Sequence, residues 1–409
     1  MLTLRILIME KPVAAIEFGS KKLKLVIGYE VDGQVYVVYS LTKPYGHVLE
    51  LGNFNDPEKV TQAVRDIKNF SDPSAKLNLN INEAVLSLPP FGLDVYQTRQ
   101  VTTVISEESK ISNLEIKNIY ALIRNGSNSL RNELIDIIPE YYVLDQGRTF
   151  VRPPLGESSS TLTVSAKVHT LPSHISHNFQ SALGSGNMLV KKAIVAPFAA
   201  SQILATYQNV PNDYLLVDIG SNVTTVSLIG GQQLFASRFF EWGGDRITEK
   251  IIERFNINEN EAEKIKITYG LCYRQMNFKA PVCHTQDEDG NIVKHYEDEL
   301  NVLIKGELDN FVKQLNSAIS SLLESYDPSY RSLPMILIGG GAALNGLVEY
   351  LTPKVQSDTV THIAPRSLGA RDGTFFNCLG MILACNRYPN VYDETHPKMG
   401  PLTRENTSK

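Results

Sequence analysis

Two stretches of this chain share one pattern of apolar and polar positions. Val13-Ala14-Ala15-Ile16 is an apolar run that closes with Glu17, Phe18, Gly19 and Ser20. Tyr214-Leu215-Leu216-Val217 closes with Asp218, Ile219, Gly220 and Ser221. A short apolar run bounded by turn residues predicts a buried strand. Two further strand-like stretches follow each run, over 23–27 and 35–40 in the first case and 224–229 and 233–239 in the second. Val31-Asp32-Gly33 and Gly230-Gly231 supply the hairpin turns. The two acids stand 201 positions apart, so the chain reads as two similar lobes, each opening on a three-strand meander.

Helical spacing predicts helices over 57–70, where Val60, Val64 and Ile67 share a face, and from Ser106 to about 130. It predicts others over 173–183, 199–207, 245–255, 259–267 and 300–323. Strands are predicted over 84–88, 96–105, 135–144, 162–170, 190–195 and 335–338, while 278–296 has no clear period and reads as irregular. The expected organisation is a first lobe over 13–84, interrupted at 85–165 by an inserted strand–helix–strand–strand subdomain and resumed over 166–210. A second lobe follows over 211–365, with a smaller subdomain at about 242–305, and 366–390 returns to the first lobe. Residues 391–409 carry Pro397, Gly400 and Pro401 with few apolar side chains and read as a disordered tail.

At 409 residues the chain fits two or more domains. A net charge of −5 argues against bulk nucleic-acid binding, which normally needs a basic field. No apolar run approaches the ~18 residues that span a bilayer, and the start, Met1 to Met9, lacks a small-residue cleavage site. A cytoplasmic protein is the default. Cys272, Cys283, Cys378 and Cys385 form no CxxC pair and read as small hydrophobes in a reducing compartment; a metal site at Cys283-His284 lacks ligand spacing.

Candidate chemistry lies in the repeated acid-x-Gly-Ser turn. Gly19 and Gly220 let the backbone approach a phosphate, and Ser20, Lys21, Ser221 and Asn222 add donors. Glu17 and Asp218 suit Mg²⁺, held through water, because that ion keeps oxygen ligands and waters beside substrate phosphates. Each turn alone reads equally as a plain β-hairpin. A third element is the apolar strand ending in Gly339-Gly340-Gly341 before an expected helix, a place where a flat ligand or phosphate can approach; a packing turn is the blander reading. Neither GxxxxGK[ST] nor GxGxxG occurs. A fourth is Glu263 with Lys266, at i and i+3 on a helix, suited to ribose hydroxyls and a base, or equally a solvated surface pair.

These residues, in this order, resemble the actin-like ATPase superfamily. Ile16 to Ser20 is similar to its first phosphate motif, Asp218 to Asn222 to its second, and Gly339 to Gly341 to its adenosine motif. Lys191 to Ala200 resembles the first connecting segment, and Gly369-Ala370-Arg371-Asp372 with Gly380 the second. Within the superfamily the chain resembles the FtsA family, through Ile138-Pro139-Glu140-Tyr141-Tyr142-Val143-Leu144-Asp145, Ser165-Ala166-Lys167-Val168-His169, Trp242-Gly243-Gly244-Asp245 and Ala262 to Lys266. The resemblance implies an α/β, actin-like (ribonuclease H-like) two-lobe fold with a nucleotide cleft and an FtsA-type inserted subdomain. It implies ATP and Mg²⁺ as cofactors, with Gly243, Gly244, Glu263 and Lys266 among the nucleotide contacts.

It further implies self-association into filaments, an FtsZ-like tubulin homologue as partner, and other division proteins bound through 85–165. The expected place is the cytoplasmic face of the membrane at the division site. No residue matches a water-positioning catalytic group, so at most slow ATP hydrolysis is expected. The tail offers only Met399 and Leu402 as interior apolar residues past Tyr392, too few for a membrane-binding helical face. Met1 to Met9, with Arg5, is the other candidate for a membrane contact, or else a leading strand or a disordered start. A pilus platform protein similar to PilM is the alternative reading.

Overall fold

The computed structural model describes residues 12–72, 77–106, 108–127, 131–271, 281–286, 289–324, 326 and 332–390. They divide into two compact units. The first comprises the described residues up to Phe18, Lys22–Thr206 and those from Asn377; the second comprises Gly19–Lys21 and Tyr207–Phe376.

The first unit is built on a five-stranded sheet in the order Leu189–Val195, Glu83–Leu88, Val13–Phe18, Lys22–Val31, Gln34–Pro44. The last three are antiparallel neighbours, and the first two run parallel to Val13–Phe18. Val13–Phe18 lies in the middle, nearly all of it buried, which is why it reads as a continuous apolar run. Helix Pro57–Lys68 packs Val60, Ala63, Val64 and Ile67 inward. Asp56 caps it by accepting the Lys59 N–H at 3.1 Å, and Pro57 sits in the first turn, where a missing N–H leaves no gap.

A four-stranded antiparallel sheet, in the order Thr149–Phe150, Asn132–Leu144, Thr161–Pro172, Asp94–Thr103, completes this unit with helix Asn113–Ser127 against it. The helix begins at Asn113 rather than near Ser106. The buried Glu115 carboxylate accepts the N–H groups of Ser112 at 2.9 Å and Ile105 at 3.3 Å, drawing the preceding residues into a cap. Helix Ala196–Leu204 starts three residues ahead of the expected 199 because Pro197 fits its first turn. Helix Phe376–Arg387 contains the buried Cys378 and Cys385. A Cβ at Gly380 would fall 1.7 Å from the Ala199 carbonyl oxygen, so only glycine permits that approach. Buried Lys192 donates to the carbonyls of Cys385 (3.2 Å) and Tyr388 (2.8 Å), neutralising the negative end of the helix.

The second unit repeats the five-stranded plan. Its order is Gln233–Phe240, Thr224–Gly230, Asp213–Ile219, Met335–Ile338, Val360–His362. Again the first three are antiparallel and the last two run parallel to the acid-bearing strand. The core is closed by helix Glu297–Leu323, whose Leu300, Ile304, Leu308, Phe311, Leu315, Ile319 and Leu322 form one stripe spaced by three and four. The ring of Trp242 lies 4.4 Å from that of Phe311.

Two expectations fail here. Residues 281–296 are not irregular, since Pro281–Gln286 and Ile292–Tyr296 pair as an antiparallel hairpin turning at Gly290. Its polar alternation hid it, and Phe255 stacking on His295 at 4.3 Å pins it to the unit. The triple glycine leads into a 3₁₀ turn, Gly341–Ala343, and the next α-helix, Leu347–Leu351, is a single turn. Extended Leu344 and left-handed Gly346 break the chain between them. Met1 to Met9, Cys272 and the tail over 391–409 lie outside the described residues. Among the described residues, no helix is long and apolar enough to cross a membrane.

Candidate nucleotide site

Most of the sequence-derived candidates fall in the second unit. Strand Asp213–Ile219 delivers Asp218 to the sheet edge, and Gly220, Ser221 and Asn222 form the turn beyond it. The Gly220 N–H closes that turn on the Val223 carbonyl at 3.0 Å. The turn is then bolted to helix Gly244–Phe255: the Gly244 N–H donates to Gly220 O at 3.0 Å and the Asp245 N–H to Ser221 O at 2.9 Å. These two helix-terminal donors are therefore used internally. Strand Met335–Ile338 runs beside the acid strand with Ile338 opposite Asp218. Gly339 follows with φ +90°, and a Cβ there would stand 2.3 Å from Asp218 Oδ1 and 2.5 Å from Ile219 O. Only glycine meets both demands. Gly340 is exposed and Gly341 starts the 3₁₀ turn.

Glu263 and Lys266 lie on helix Glu259–Tyr269, capped by Asn258, whose Oδ1 accepts the Glu261 N–H at 3.0 Å. They are no solvated pair, since Lys266 is only 8% exposed. Its ammonium donates to Glu263 Oε2 (2.6 Å), Thr248 Oγ1 (2.8 Å) and Gly244 O (3.0 Å). The Thr248 hydroxyl in turn lies 2.7 Å from Glu263 Oε2. Burial works to raise the Glu263 carboxyl, but the charge and hydrogen bond of Lys266, the Thr248 hydroxyl and the Lys21 charge outweigh it, so the group sits below its ordinary value.

Gly19, Ser20 and Lys21 also count with the second unit. Lys21 Nζ is 2.7 Å from both Asp245 Oδ1 and Glu259 Oε1. Burial works to lower its pKa, yet the two carboxylates carry it above the usual lysine value.

Glu17 belongs to the first unit. Its Oε1 accepts from Asn377 Nδ2 at 2.9 Å, and its Oε2 is 3.2 Å from Lys24 Nζ, directly opposite across the hairpin. Lys24, Asn377 and Thr248 escaped the sequence reading. For Lys24 the signal was present, because Lys22 and Lys24 alternate with the buried Leu23 and Leu25 and so share the other face of their strand.

A family model described as Cell division protein FtsA matches residues 215–376, nearly the whole second unit. Curated proteins of that name are similar over most of the chain. The one from Streptococcus pneumoniae is 24% identical, over 90% of this chain and 78% of its own. That from Enterococcus faecalis is 22% identical, over 92% of this chain and 84% of its own. The chain is similar to FtsA over most of its length. Among solved structures it is similar to the PilM-PilN type IV pilus biogenesis complex, with TM-score 0.60 and 18% identity over 91% of this chain and 98% of that one. It is also similar to MreB5 of Spiroplasma citri bound to AMPPNP, with TM-score 0.51 and 13% identity over 91% and 95%. At such identities these likenesses speak for the fold alone, which is actin-like.

Proposed function

We propose that this FtsA relative is an ATP-binding, self-associating cell-division protein that links filaments of a tubulin-like partner of the FtsZ kind to the membrane face or to other division proteins. One observation carries the reading: the family match coincides with the unit that gathers the Asp218 turn, the Gly243-Gly244 pair, Gly339 to Gly341 and the Glu263–Lys266 cluster. The donor set fits a nucleotide. The turn at Gly220, Ser221 and Asn222, with Gly19, Ser20 and Lys21, offers small residues and donors for phosphates. Gly339 leaves an opening that any Cβ would fill, and Glu263 offers a charged acceptor for a polyol.

Mg²⁺, when bound, would neutralise phosphate charge, with Asp218 holding it through water. Glu17 is the second candidate, but its carboxylate is already paired with Lys24 and Asn377. No base or water-positioning residue stands out in this set, so the nucleotide serves as an assembly cofactor and hydrolysis is slow. Partner docking through 85–165 and a place at the cytoplasmic face of the division site belong to the same proposal. Calorimetric titration with ATP in the presence and absence of Mg²⁺, paired with co-sedimentation on FtsZ filaments, tests it. Mg²⁺-dependent binding and co-sedimentation are expected; absence of both overturns the reading.

A further inference from the structure

The hairpin over 281–296 carries chemistry that nucleotide binding does not use. Thr285 Oγ1 lies 2.9 Å from His295 Nε2, and His295 Nδ1 lies 3.1 Å from Glu299 Oε2. A carboxylate only accepts, so the ring proton sits on Nδ1 and Nε2 is left to accept the Thr285 proton. Glu299 is itself fixed, because Arg254 Nε donates to its other oxygen at 2.7 Å. The His295 ring is 8% exposed and stacks on Phe255 at 4.3 Å, which holds its tilt. A nucleophile, a base and an orienting group in hydrogen-bonded series is the arrangement that activates a weak hydroxyl. Thr285 is half-buried and lines an open depression of about 430 Å³ with His284, Gln286 and Ile292, so a small reagent can reach it.

The surrounding field selects the reagent. Cys283 stands across the hairpin from His295, and burial together with the charges of Glu299 and Glu261 pushes its thiol above the ordinary value. The same negative field that keeps that thiol protonated opposes an incoming phosphoryl dianion, whereas a neutral acyl donor meets no such penalty. We propose that Thr285 is an acyl-acceptor site for a small, neutral, activated ester, with His295 as general base and Glu299 and Arg254 as positioning residues. Thr285 Oγ1 attacks the ester carbonyl carbon. The Oγ1–C bond forms, the bond from that carbon to the leaving oxygen breaks, and the electron pair departs with that oxygen. The Thr285 proton passes to His295 Nε2 and on to the leaving oxygen, so no further reactant is needed. The proposal is independent of the nucleotide reading.

The test incubates the full-length protein with p-nitrophenyl acetate, follows p-nitrophenolate release and maps acetyl groups by peptide mass spectrometry. Acetylation at Thr285 is expected ahead of surface lysine amines. A positioned general base contributes about 100-fold or more, so the rate at Thr285 should fall by that factor in His295→Gln and in Glu299→Gln. Glu299→Asp should recover about tenfold of the loss, a rescue of the base's orientation that a merely structural role would not give. Thr285→Val should abolish labelling at this position, and Thr285→Ser should retain it. Thermal melting of each variant reports folding, and Glu299→Gln, which keeps a hydrogen-bonding side chain, carries the comparison if His295→Gln unfolds the unit. Acetyl groups confined to lysines or Cys283 overturn the proposal, as does labelling of Thr285 at an unchanged rate in either folded variant.

Discussion

The two units share one sheet plan but set different residues around its acid. In both, three antiparallel strands are followed by two parallel ones, and an acid ends the central strand. Opposite Glu17 stands Lys24; opposite Asp218 stands Thr225. The neighbouring parallel strand ends in Pro89-Pro90 in the first unit and in Gly339-Gly340-Gly341 in the second. The first unit thus pairs its acid with Lys24 and stiffens the adjoining loop, while the second sets Thr225 across the hairpin from its acid and opens backbone space beside it. Duplicated topology does not require duplicated residues: the cross-strand partner of the acid and the residue that follows the parallel strand both differ between the copies.

The largest effect expected from breaking this difference is at Gly339. Gly339→Val forces a β-branched residue to φ +90° with its Cβ against Asp218, adding at least about 1–2 kcal/mol of backbone strain to a steric clash. ATP binding should vanish in calorimetry and the melting temperature should fall. Pro89→Gly, at the matching place in the first unit, should change ATP affinity by less than about twofold.

Exchanging the cross-strand partners comes next. Thr225→Lys should recreate the Glu17–Lys24 pairing at Asp218 and weaken Mg²⁺-dependent ATP binding about tenfold, one charged hydrogen bond's worth. Lys24→Met should leave ATP affinity nearly intact but cost about 1–3 kcal/mol in urea unfolding, because the largely buried Glu17 carboxylate loses its cation. Loss of ATP affinity in Lys24→Met would mean the first hairpin does the binding.

The smallest effect is in pH. Glu263 is faced by Lys266 on its own helix and by Lys21, and its depressed pKa keeps it ionised below the usual glutamate value of about 4.3. Its contribution to stability is present above the unfolded value and is lost as pH falls through the folded one. Nucleotide affinity should therefore hold steady down to that range and fall below it. Thr248→Val, which removes one hydrogen bond lowering that pKa, should move the fall to higher pH. An unchanged profile would detach Thr248 from Glu263.

Both meanders were legible because buried strands bounded by glycine and serine leave a local trace. So was helix Glu297–Leu323, whose stripe is long. What escaped is tertiary. Asn377 reaches Glu17 across 360 residues, and Thr248 is an unmarked mid-helix threonine until a second helix brings Lys266 to it. The hairpin over 281–296 was missed because its strands are short and carry His284, Gln286, Lys294 and His295, which mask any apolar alternation. The helix expected after the triple glycine shrank because glycine at a left-handed φ serves the turn, not a helix start.

In the proposed function the working acid is Asp218, on the second hairpin. Trp242, the chain's only tryptophan, adjoins the Gly243-Gly244 pair and reports on it by fluorescence. Titrating ATP with Mg²⁺ into Asp218→Asn and Glu17→Gln on that signal compares the two acids directly. Asp218→Asn should weaken binding about tenfold or more, and Glu17→Gln by no more than about threefold. The reverse order would contradict the account.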